Sequence, residues 1–316
     1  TLIEIPLAEN KTWSNIKEQA KAKVTLKPEW HGGDYEVYEW RLDNENGEKL
    51  TAGYLINKSI TVYAVTNYNK FNIVDNKIKL TDGKGYTGSE PKGKIIIPDG
   101  ITEIEDNTTW NEGAFNKCNE IISVSFPASL TKIGSYAFYE CKGLTSLDLS
   151  GCTNITEIGR YAFYECKGLT SLDLSGCTNL IKINNHAFSS CTGLTSLDLS
   201  GCTNITEIGR YAFYKCKGLT SLDLSGCTNL IEINDCAFSW CTVLTSVDIS
   251  RCTNLTEIGT SAFYECAGLT DIDLSGNIKL TKIELGAFGC INAKVKLPES
   301  ITTIQESAFG FPGSSS

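Results

Sequence analysis

The chain of 316 residues contains no methionine and only two histidines, His31 and His186, which stand far apart. No C-x-x-C pair occurs among its cysteines, so no familiar zinc-binding spacing can be assembled. The sequence offers neither a catalytic triad nor a P-loop, and we interpret Gly83-Lys84-Gly85 as a turn signal. We therefore expect a protein that is not an enzyme and that uses no metal and no cofactor.

Long apolar runs are also absent, since none approaches the roughly 20 residues that a membrane-spanning helix needs. Residues 1–92 contain 13 basic and 13 acidic side chains, whereas the rest contains 15 basic and 24 acidic ones. The whole net charge of −9 therefore lies after residue 92, which argues against a nucleic-acid partner. Because the chain starts at Thr1, we expect a mature or truncated form that lacks its export signal or surface anchor.

The dipeptide Ala-Phe, in contrast, occurs nine times. Seven consecutive phenylalanines are separated by a constant step of 25 residues, at Phe138, Phe163, Phe188, Phe213, Phe238, Phe263 and Phe288. A fixed period of this length is typical of a solenoid, in which stacked units bury one continuous core. Function is then expected on the surface columns that stacking creates.

One unit, starting at Leu144, reads LTSLDLSGCTNITEIGRYAFYECKG, and its first half fits the leucine-rich pattern L-x-x-L-x-L-x-x-C-x-x-L. Alternation in Leu147-Asp148-Leu149 predicts a strand with both leucines inward and the aspartate outward. Stacked copies predict a parallel β-sheet on one face. The Gly, Ser and Tyr content of the second half favours irregular turns or short helices on the other face.

The pattern G-x-x-A-F-x-x-C followed by a leucine strand resembles the BspA-like leucine-rich repeats of bacterial surface antigens. Copies with a proline after the strand match the usual form of that family, at Lys94–Asp106, Ile122–Phe138 and Val295–Phe309. The central units replace this proline turn by Ser-Gly-Cys-Thr-Asn. The resemblance spans Lys94–Phe309. It implies an adhesin-like protein that is secreted or displayed at the bacterial cell surface and binds host extracellular-matrix or neighbouring-cell proteins.

The first seventy residues have a different character and predict a small α+β domain. Residues 11–23 predict a short helix, and Val24–Lys27, Tyr35–Leu42 and Ile60–Thr66 predict strands. The segments Tyr35–Leu50 and Asn57–Asn67 resemble the β-grasp-like repeat modules of Listeria and Bacteroides surface proteins. We thus expect an α+β domain at 1–70, a linker or N-terminal cap at 71–93, an array of about nine units at 94–311 and a disordered tail at 312–316.

Most of the 14 cysteines follow the repeat and form two columns. One contains Cys118, Cys141, Cys166, Cys191, Cys216, Cys241, Cys266 and, near its end, Cys290, and the other contains Cys152, Cys177, Cys202, Cys227 and Cys252. Equivalent positions of stacked units lie within disulfide range, but their Cβ vectors run parallel instead of converging. We expect buried, reduced thiols that act as small hydrophobic residues.

The outward column of the sheet is acidic and is our main candidate for a binding site on a concave face. It contains Asp148, Asp173, Asp198, Asp223, Asp248 and Asp273, joined by Asp271 in the last copy. Carboxylates ~5 Å apart repel by roughly 1 to 3 kcal/mol per neighbouring pair, which a cation would relieve. Two functional interpretations are a groove for a basic protein segment and a weak Ca²⁺ row. The alternative is a solvated face on which duplication copied one aspartate.

A weaker candidate surface on the opposite side combines aromatic and basic residues. It contains Tyr161, Tyr164, Arg160, Tyr211, Tyr214, Arg210 and Trp240. Aromatic and arginine side chains are frequent anchors of protein interfaces. Packing at the edge of the core is the competing interpretation.

Two functional hypotheses follow from these patterns. In the first, the chain is a non-catalytic surface or secreted binding protein whose array binds a protein with a basic segment, without nucleic acid and without membrane insertion. In the second, it is a structural spacer of a larger surface protein and has no ligand of its own.

Overall fold

The computed structural model describes two compact units, Thr1–Lys70 and Phe71–Ser316. The described residues are 2–5, 11–12, 37–42, 55–56, 60–66, 70–71, 73–80, 83–87, 90–107, 109, 112–289 and 293–310. Side chains are described within the second unit. Throughout these ranges the regular structure is β-strand, with turns between the strands and no helix.

The first unit contains two small antiparallel sheets. Its strands are β1 (Leu2–Ile5), β2 (Lys11–Thr12), β3 (Val37–Leu42), β4 (Leu55–Ile56) and β5 (Ile60–Thr66). One sheet has the order β1-β5-β3, and the other pairs β2 with β4.

The strand predicted at Ile60–Thr66 is present as β5, and most of the one predicted at Tyr35–Leu42 is present as β3. The predicted helix is wrong at Lys11 and Thr12, which pair with β4. Its remaining residues and the predicted strand Val24–Lys27 lie outside the described residues. The β-grasp-like arrangement stays a prediction.

The second unit is a solenoid with two rows of parallel strands. Strand β6 (Lys70–Phe71) spans the sequence boundary between the units, and the short strands β7 (Ile73–Val74), β8 (Lys77–Ile78) and β9 (Tyr86–Thr87) follow it. The first row, here called the first ladder, contains β10 (Gly93–Ile96), β12 (Ile121–Ser125), β14 (Ser146–Asp148), β16 (Ser171–Asp173), β18 (Ser196–Asp198), β20 (Ser221–Asp223), β22 (Ser246–Asp248), β24 (Asp271–Asp273) and β26 (Lys294–Lys296). It is hydrogen-bonded in three segments, β10-β12-β14, β16-β18-β20-β22 and β24-β26. The prediction of a parallel sheet with repeated leucine strands is confirmed.

The second row, the second ladder, runs through the half of each unit for which the sequence predicts turns or short helices. After β8 it contains β11 (Glu103–Ile104), β13 (Lys132–Ile133), β15 (Glu157–Ile158), β17 (Lys182–Ile183), β19 (Glu207–Ile208), β21 (Glu232–Ile233), β23 (Glu257–Ile258), β25 (Lys282–Ile283) and β27 (Thr303–Ile304). Pairing is continuous from β8 to β23, and β25 pairs with β27. Strand β7 pairs antiparallel with β8 and so covers the first edge.

The Ala-Phe segments form turns because their backbone groups bond between units. The N–H of Phe138 donates to the carbonyl of Ala162, and the N–H of Phe163 donates to that of Ala187, both at 2.7 Å. An α-helix requires the same groups to bond four residues away along the chain. The hydrogen bonds between stacked units therefore take the place of helical ones, which explains why the Ala-Phe segments form turns and not short helices.

The core is a column of stacked phenylalanine rings. Consecutive rings from Phe115 to Phe288 lie 4.9–5.4 Å apart between centroids and within 16° of parallel, and all are fully buried. Each internal ring is covered on both faces by the neighbouring units. Because any slip of one unit would break two ring contacts, this column fixes the stacking register.

The cysteine columns connect adjacent units through weak hydrogen bonds. The thiol of Cys166 donates to the carbonyl of Phe138 at 3.2 Å, and that of Cys202 donates to the carbonyl of Leu174 at 3.2 Å. The thirteen cysteines among the described residues are free, and all except Cys236 are buried. The prediction of buried cysteines is confirmed for the other twelve. Cys290 lies outside the described residues.

Candidate protein-binding surfaces

The first ladder exposes a regular polar face. In each Ser-Leu-Asp strand the leucine is buried, whereas the serine and the aspartate point to solvent. Preceding threonines form a further exposed column, in which the Thr195 hydroxyl donates to the Thr170 carbonyl at 2.9 Å. In these strands, small serine and threonine side chains flank the aspartate along the chain and leave it accessible.

The structure brings the predicted aspartates into one column. Asp173, Asp198, Asp223 and Asp248 are direct neighbours across the parallel strands. Neighbouring strands lie about 4.8 Å apart, so the carboxylates recur at that spacing. We call Asp148, Asp173, Asp198, Asp223, Asp248 and Asp273 the acidic column, and all six are exposed.

Each aspartate of the acidic column also stabilises the turn that follows its strand. Oδ1 of Asp173 accepts hydrogen bonds from the Ser175 N–H at 2.9 Å and from its hydroxyl at 2.6 Å. Oδ1 of Asp223 accepts one from the Ser225 N–H at 2.8 Å. This local bond gives a structural reason for aspartate at the position. In these units it uses Oδ1, while Oδ2 receives no hydrogen bond from a described residue.

The acidic column has defined ends. At one end Asp148 pairs in register with Ser125, and at the other Asp273 pairs with Lys296 while Asp271 pairs with Lys294. Lys296 Nζ lies 3.2 Å from Asp273 Oδ2. Hydrogen bonds from Ser275 and this lysine lower the pKa of the Asp273 carboxyl to about 2. The charge along the first ladder therefore changes sign between β24 and β26.

The column forms a row and not a converging set of ligands. Among the described residues, no group of three or more His, Cys, Asp or Glu side chains is placed to hold a metal ion. A row of separate carboxylates presents its charge along the array, which suits an extended cationic partner better than a single ion.

The aromatic residues of the weaker candidate surface form stacks across units. Tyr136, Tyr161, His186 and Tyr211 stack in sequence with ring centroids 5.1, 4.4 and 4.7 Å apart. Tyr164 stacks on Tyr139 at 5.0 Å. Tyr161 is buried and Tyr164, Tyr211 and Tyr214 are half-buried, so the stacking favours a packing role.

The charged and indole members of this surface are more accessible. Arg160 lies over the Tyr161 ring at 5.0 Å, and Arg210 forms an ion pair with Asp235. Trp240 is exposed and contacts Tyr264 edge to face at 6.4 Å. Burial of the His186 ring, with Arg160 and Arg210 nearby, lowers the pKa of its imidazole to about 4.

A third surface is not evident from the sequence motifs. Asn179, Asn204, Asn229 and Asn254 border an open groove of about 710 Å³ beside the second ladder. Its floor includes Ile181 and Ile231, which are 48% and 40% exposed. Asn204, Asn229 and Asn254 donate to carbonyls of the preceding unit, as Asn204 does to Thr178 at 2.9 Å. The available sequence signal was the alternation of isoleucine with threonine every 50 residues at this position.

Gly83, Gly85 and Gly88 have the spacing of a dinucleotide-binding glycine loop. That motif works by opening a helix, whose N-terminus holds the pyrophosphate. Here Tyr86 and Thr87 form strand β9, and the described ranges contain no helix. Gly88 lies outside the described residues. The interpretation of this segment as a turn is therefore retained.

The stacked units share a buried leucine strand, a phenylalanine core and two cysteine columns that bond to the preceding unit. Together these features define a leucine-rich-repeat solenoid. The family described as BspA type leucine-rich repeat region matches residues 108–228 and 206–314, with six copies. The chain belongs to this family, as the resemblance in its repeats predicted. Among the described residues, no helix is long and apolar enough to cross a bilayer.

Solved structures with partial likeness include a leucine-rich repeat protein of T. pallidum, 26% identical, with a TM-score of 0.46 over 56% of this chain and 77% of that chain. A leucine-rich cell surface protein of Faecalibacterium prausnitzii A2-165 is 22% identical, with a TM-score of 0.27 over 71% of this chain and 80% of that one. The pneumococcal vaccine antigen PcpA is 18% identical, with a TM-score of 0.29 over 68% and 69%. No curated protein matches the chain.

Proposed function

We propose that the chain is a secreted or surface-displayed binding protein whose acidic column captures a basic segment of another protein. The observation that carries this function is the row of exposed aspartates. In Asp173, Asp198, Asp223 and Asp248 one carboxylate oxygen accepts from the following turn, and the other receives no hydrogen bond from a described residue. The rigid stack holds these charges at a fixed spacing, so a partner can contact several of them without the entropic cost of ordering the array. An adhesin-like role toward extracellular-matrix or cell-surface proteins follows as the specific form of this function.

Membership of the BspA type repeat family supports a binding role, because stacked repeats offer extended surfaces and few enclosed pockets. The spacer hypothesis makes a different prediction. If the array only sets length, the aspartates serve their turns alone, and neutralising their outer oxygens changes no interaction.

The decisive experiment replaces Asp198 and Asp223 together by asparagine in the full chain. Asparagine keeps the Oδ1 acceptor for Ser200 and Ser225 but removes the negative charge. Binding of a fluorescent octalysine peptide is measured by anisotropy between low and physiological salt. We expect the parent chain to bind with a strong salt dependence and the double variant to bind about 3- to 10-fold more weakly.

A matched control removes the same charge elsewhere, by replacing Glu232 and Glu257 of the second ladder with glutamine. This control is expected to bind the peptide like the parent chain. Equal losses of peptide affinity in both double variants would show that the peptide responds only to the net charge of the chain. Absence of binding at low salt would refute the acidic column as a site. Either result would leave the spacer hypothesis in place.

A further inference from the structure

The groove beside the second ladder contains apolar side chains that the fold does not require. Along the array Ile181 and Ile231 alternate with Thr156, Thr206 and Thr256. These positions share one backbone role, since the Thr206 N–H donates to the Ile181 carbonyl and the Ile231 N–H to the Thr206 carbonyl, both at 2.9 Å. The Thr206 hydroxyl donates to the same Ile181 carbonyl at 3.3 Å. Threonine thus suits the position fully, and two exposed isoleucines in one groove indicate a surface that a partner covers.

The spacing of the two isoleucines selects the conformation of that partner. Ile181 and Ile231 lie two units apart beside a continuous parallel ladder, which places them about 9.6 Å from each other along the array. A polyproline II chain has three residues per turn, so every third side chain returns to the same face after about 9.3 Å. A β-strand repeats its face about every 6.7 Å, and an α-helix repeats its face about every 5.4 Å. Of the three conformations, polyproline II matches the groove.

Asparagine amides line the same groove and offer hydrogen bonds to a peptide backbone. Nδ2 of Asn204 donates to the Thr178 carbonyl at 2.9 Å, and Nδ2 of Asn229 donates to the Thr203 carbonyl at 3.0 Å. Each amide retains a second hydrogen on Nδ2, and its Oδ1 receives no hydrogen bond from a described residue. A polyproline II chain makes no internal hydrogen bonds, so its carbonyls are free to accept from such donors.

The charge of the groove limits the occupant further. Of the residues that line it, only Lys279 is charged. Its Nζ donates to Asn254 Oδ1 at 2.7 Å, and no ion pair among the described residues includes it. A complementary segment is uncharged along its length and has a carboxylate at the end that reaches Lys279. The seven prolines of this chain include no Pro-x-x-Pro pair, so a second copy is a poor source of the segment.

We propose that the groove is a second binding site, which takes a proline-rich segment of another protein in the polyproline II conformation. Apolar side chains at every third position of the segment contact Ile181 and Ile231. Its backbone bonds to Asn204 and Asn229, and an acidic residue at one end contacts Lys279. Because polyproline II is already ordered before binding, the segment loses little conformational entropy. The site is separate from the acidic column and has a different charge preference.

The probe is a fluorescent peptide in which three Leu-Pro-Pro repeats are flanked by a glutamate at each end. A control peptide of the same composition has leucine at every second position, which turns successive leucines to different faces of the helix. Binding to the full chain is measured by anisotropy at low salt. We expect the control to bind about tenfold more weakly, because its leucines cannot contact both isoleucines. A peptide with glycine in place of proline keeps the period without the preformed helix and is expected to bind about 3- to 10-fold more weakly.

Variants of the protein test the apolar contacts. The double substitution Ile181→Thr and Ile231→Thr introduces the residue of the sister units and is expected to weaken the Leu-Pro-Pro peptide about tenfold. The matched control is Ile122→Thr with Ile278→Thr, which changes two exposed isoleucines outside the groove at positions where a neighbouring unit has threonine. This control is expected to bind the peptide like the parent chain.

A further variant tests the charge preference. The parent chain is expected to bind the peptide with terminal glutamates about threefold more tightly than one with terminal glutamines at low salt. Lys279→Asn, which introduces the asparagine of the preceding unit, is expected to abolish this preference and to bind the glutamine peptide like the parent chain. Circular dichroism verifies the fold of each variant, and the Lys279→Asn comparison decides if an isoleucine variant does not fold.

Four results would overturn the proposal: no binding at millimolar peptide, equal binding of the two leucine arrangements, equal losses in the two isoleucine double variants, or a glutamate preference that survives Lys279→Asn. Displacement of the peptide by a β-1,4-linked N-acetylglucosamine hexasaccharide adds a fifth, since a sugar chain would then be the occupant. A failure here leaves the octalysine result untouched, because that experiment uses the first ladder and a peptide of positive charge.

Discussion

At the scale of single residues, the structure explains why cysteine recurs at the same two positions of the repeat. From Cys141 to Cys266, the column cysteines donate their thiol hydrogens to carbonyls of the preceding unit, so they act as both small apolar residues and weak donors. Burial raises the pKa of Cys177 and Cys227 to about 12, which keeps their thiols protonated and able to donate. The single exception in the second column, Asn277, supports this role. Its Nδ2 donates to the carbonyls of Ile249 at 2.9 Å and Cys252 at 3.0 Å.

Asn277 therefore allows a test of the donor role. We expect Asn277→Ala to destabilise the chain by about 2–3 kcal/mol, because it leaves a cavity and two buried carbonyls without a donor. Asn277→Cys restores the column and removes a buried amide oxygen that lacks a partner among the described residues, so a change within about 1 kcal/mol is expected. Urea unfolding followed by circular dichroism compares the midpoints. Equal destabilisation by both substitutions would show that a thiol cannot replace the asparagine donor at this position.

At the scale of elements, the two ladders differ in how their charges are arranged. The second ladder alternates lysine with glutamate in its first part, with ion pairs Lys77–Glu103, Lys132–Glu157 and Lys182–Glu207. It then places Glu232 and Glu257 side by side. Burial and the neighbouring Glu232 raise the pKa of the Glu257 carboxyl. Whether a glutamate of the second ladder is stabilised in its charged form therefore depends on the side chains next to it and not on its place in the ladder alone.

The aromatic stack makes a prediction about pH. The pKa of His186 is about 4 in the folded chain, against an ordinary value of 6.5 in the unfolded one. Between these pH values the unfolded chain binds more protons, so stability is complete above pH 6.5 and falls as the pH is lowered toward 4. Arg160 and Arg210 oppose the imidazolium, and Tyr161 and Tyr211 cover its faces.

His186→Tyr is the matched variant, because sister units have tyrosine at this position. Between pH 7 and pH 5 we expect the parent chain to lose on the order of 1 kcal/mol more stability than the variant, after allowance for solvent screening. Urea midpoints at the two pH values measure this difference. Parallel losses in both chains would mean that folding does not lower the pKa of His186.

At the scale of the whole molecule, the array contains a longer period of two units. Gly-Arg-Tyr and Asn-Asn-His or Asn-Asp-Cys alternate before successive Ala-Phe pairs. Interactions between neighbouring units dominate the stability of such arrays. Each interface in the middle of the array therefore joins one unit of each kind, as in the hydrogen bond from the Arg210 N–H to Asn185 Oδ1 at 2.9 Å.

Deletions test this organisation. Removal of residues 169–218 deletes two units and preserves the alternation, whereas removal of 194–218 deletes one unit and joins two of the same kind. We expect the longer deletion to keep a sharper and higher thermal transition despite its greater loss of core, because its new interface repeats an existing one. Circular dichroism melting compares the two. A higher transition in the shorter deletion would show that the two kinds of unit are interchangeable.

Much of this fold was predictable from residues, but part of the candidate site was not. The Phe138-to-Phe288 step determined the stacking register, and the position of Asp148 between two leucines determined that its column points outward. The alternation of Ile181 and Ile231 with threonine indicates a column that tolerates polar residues, but only the stack shows that this column borders a groove.

The sequence by itself determined the repeat, its inward and outward columns and the reversal of charge after Asp273, because these follow from period and alternation alone. Only the tertiary structure decided what the columns do. Whether Tyr161 is buried and which residues lie beside Asp198 depend on contacts between units that are 25 or more residues apart. Local pattern sets the direction of a side chain, whereas its accessibility is set by the neighbouring units that the stack places beside it.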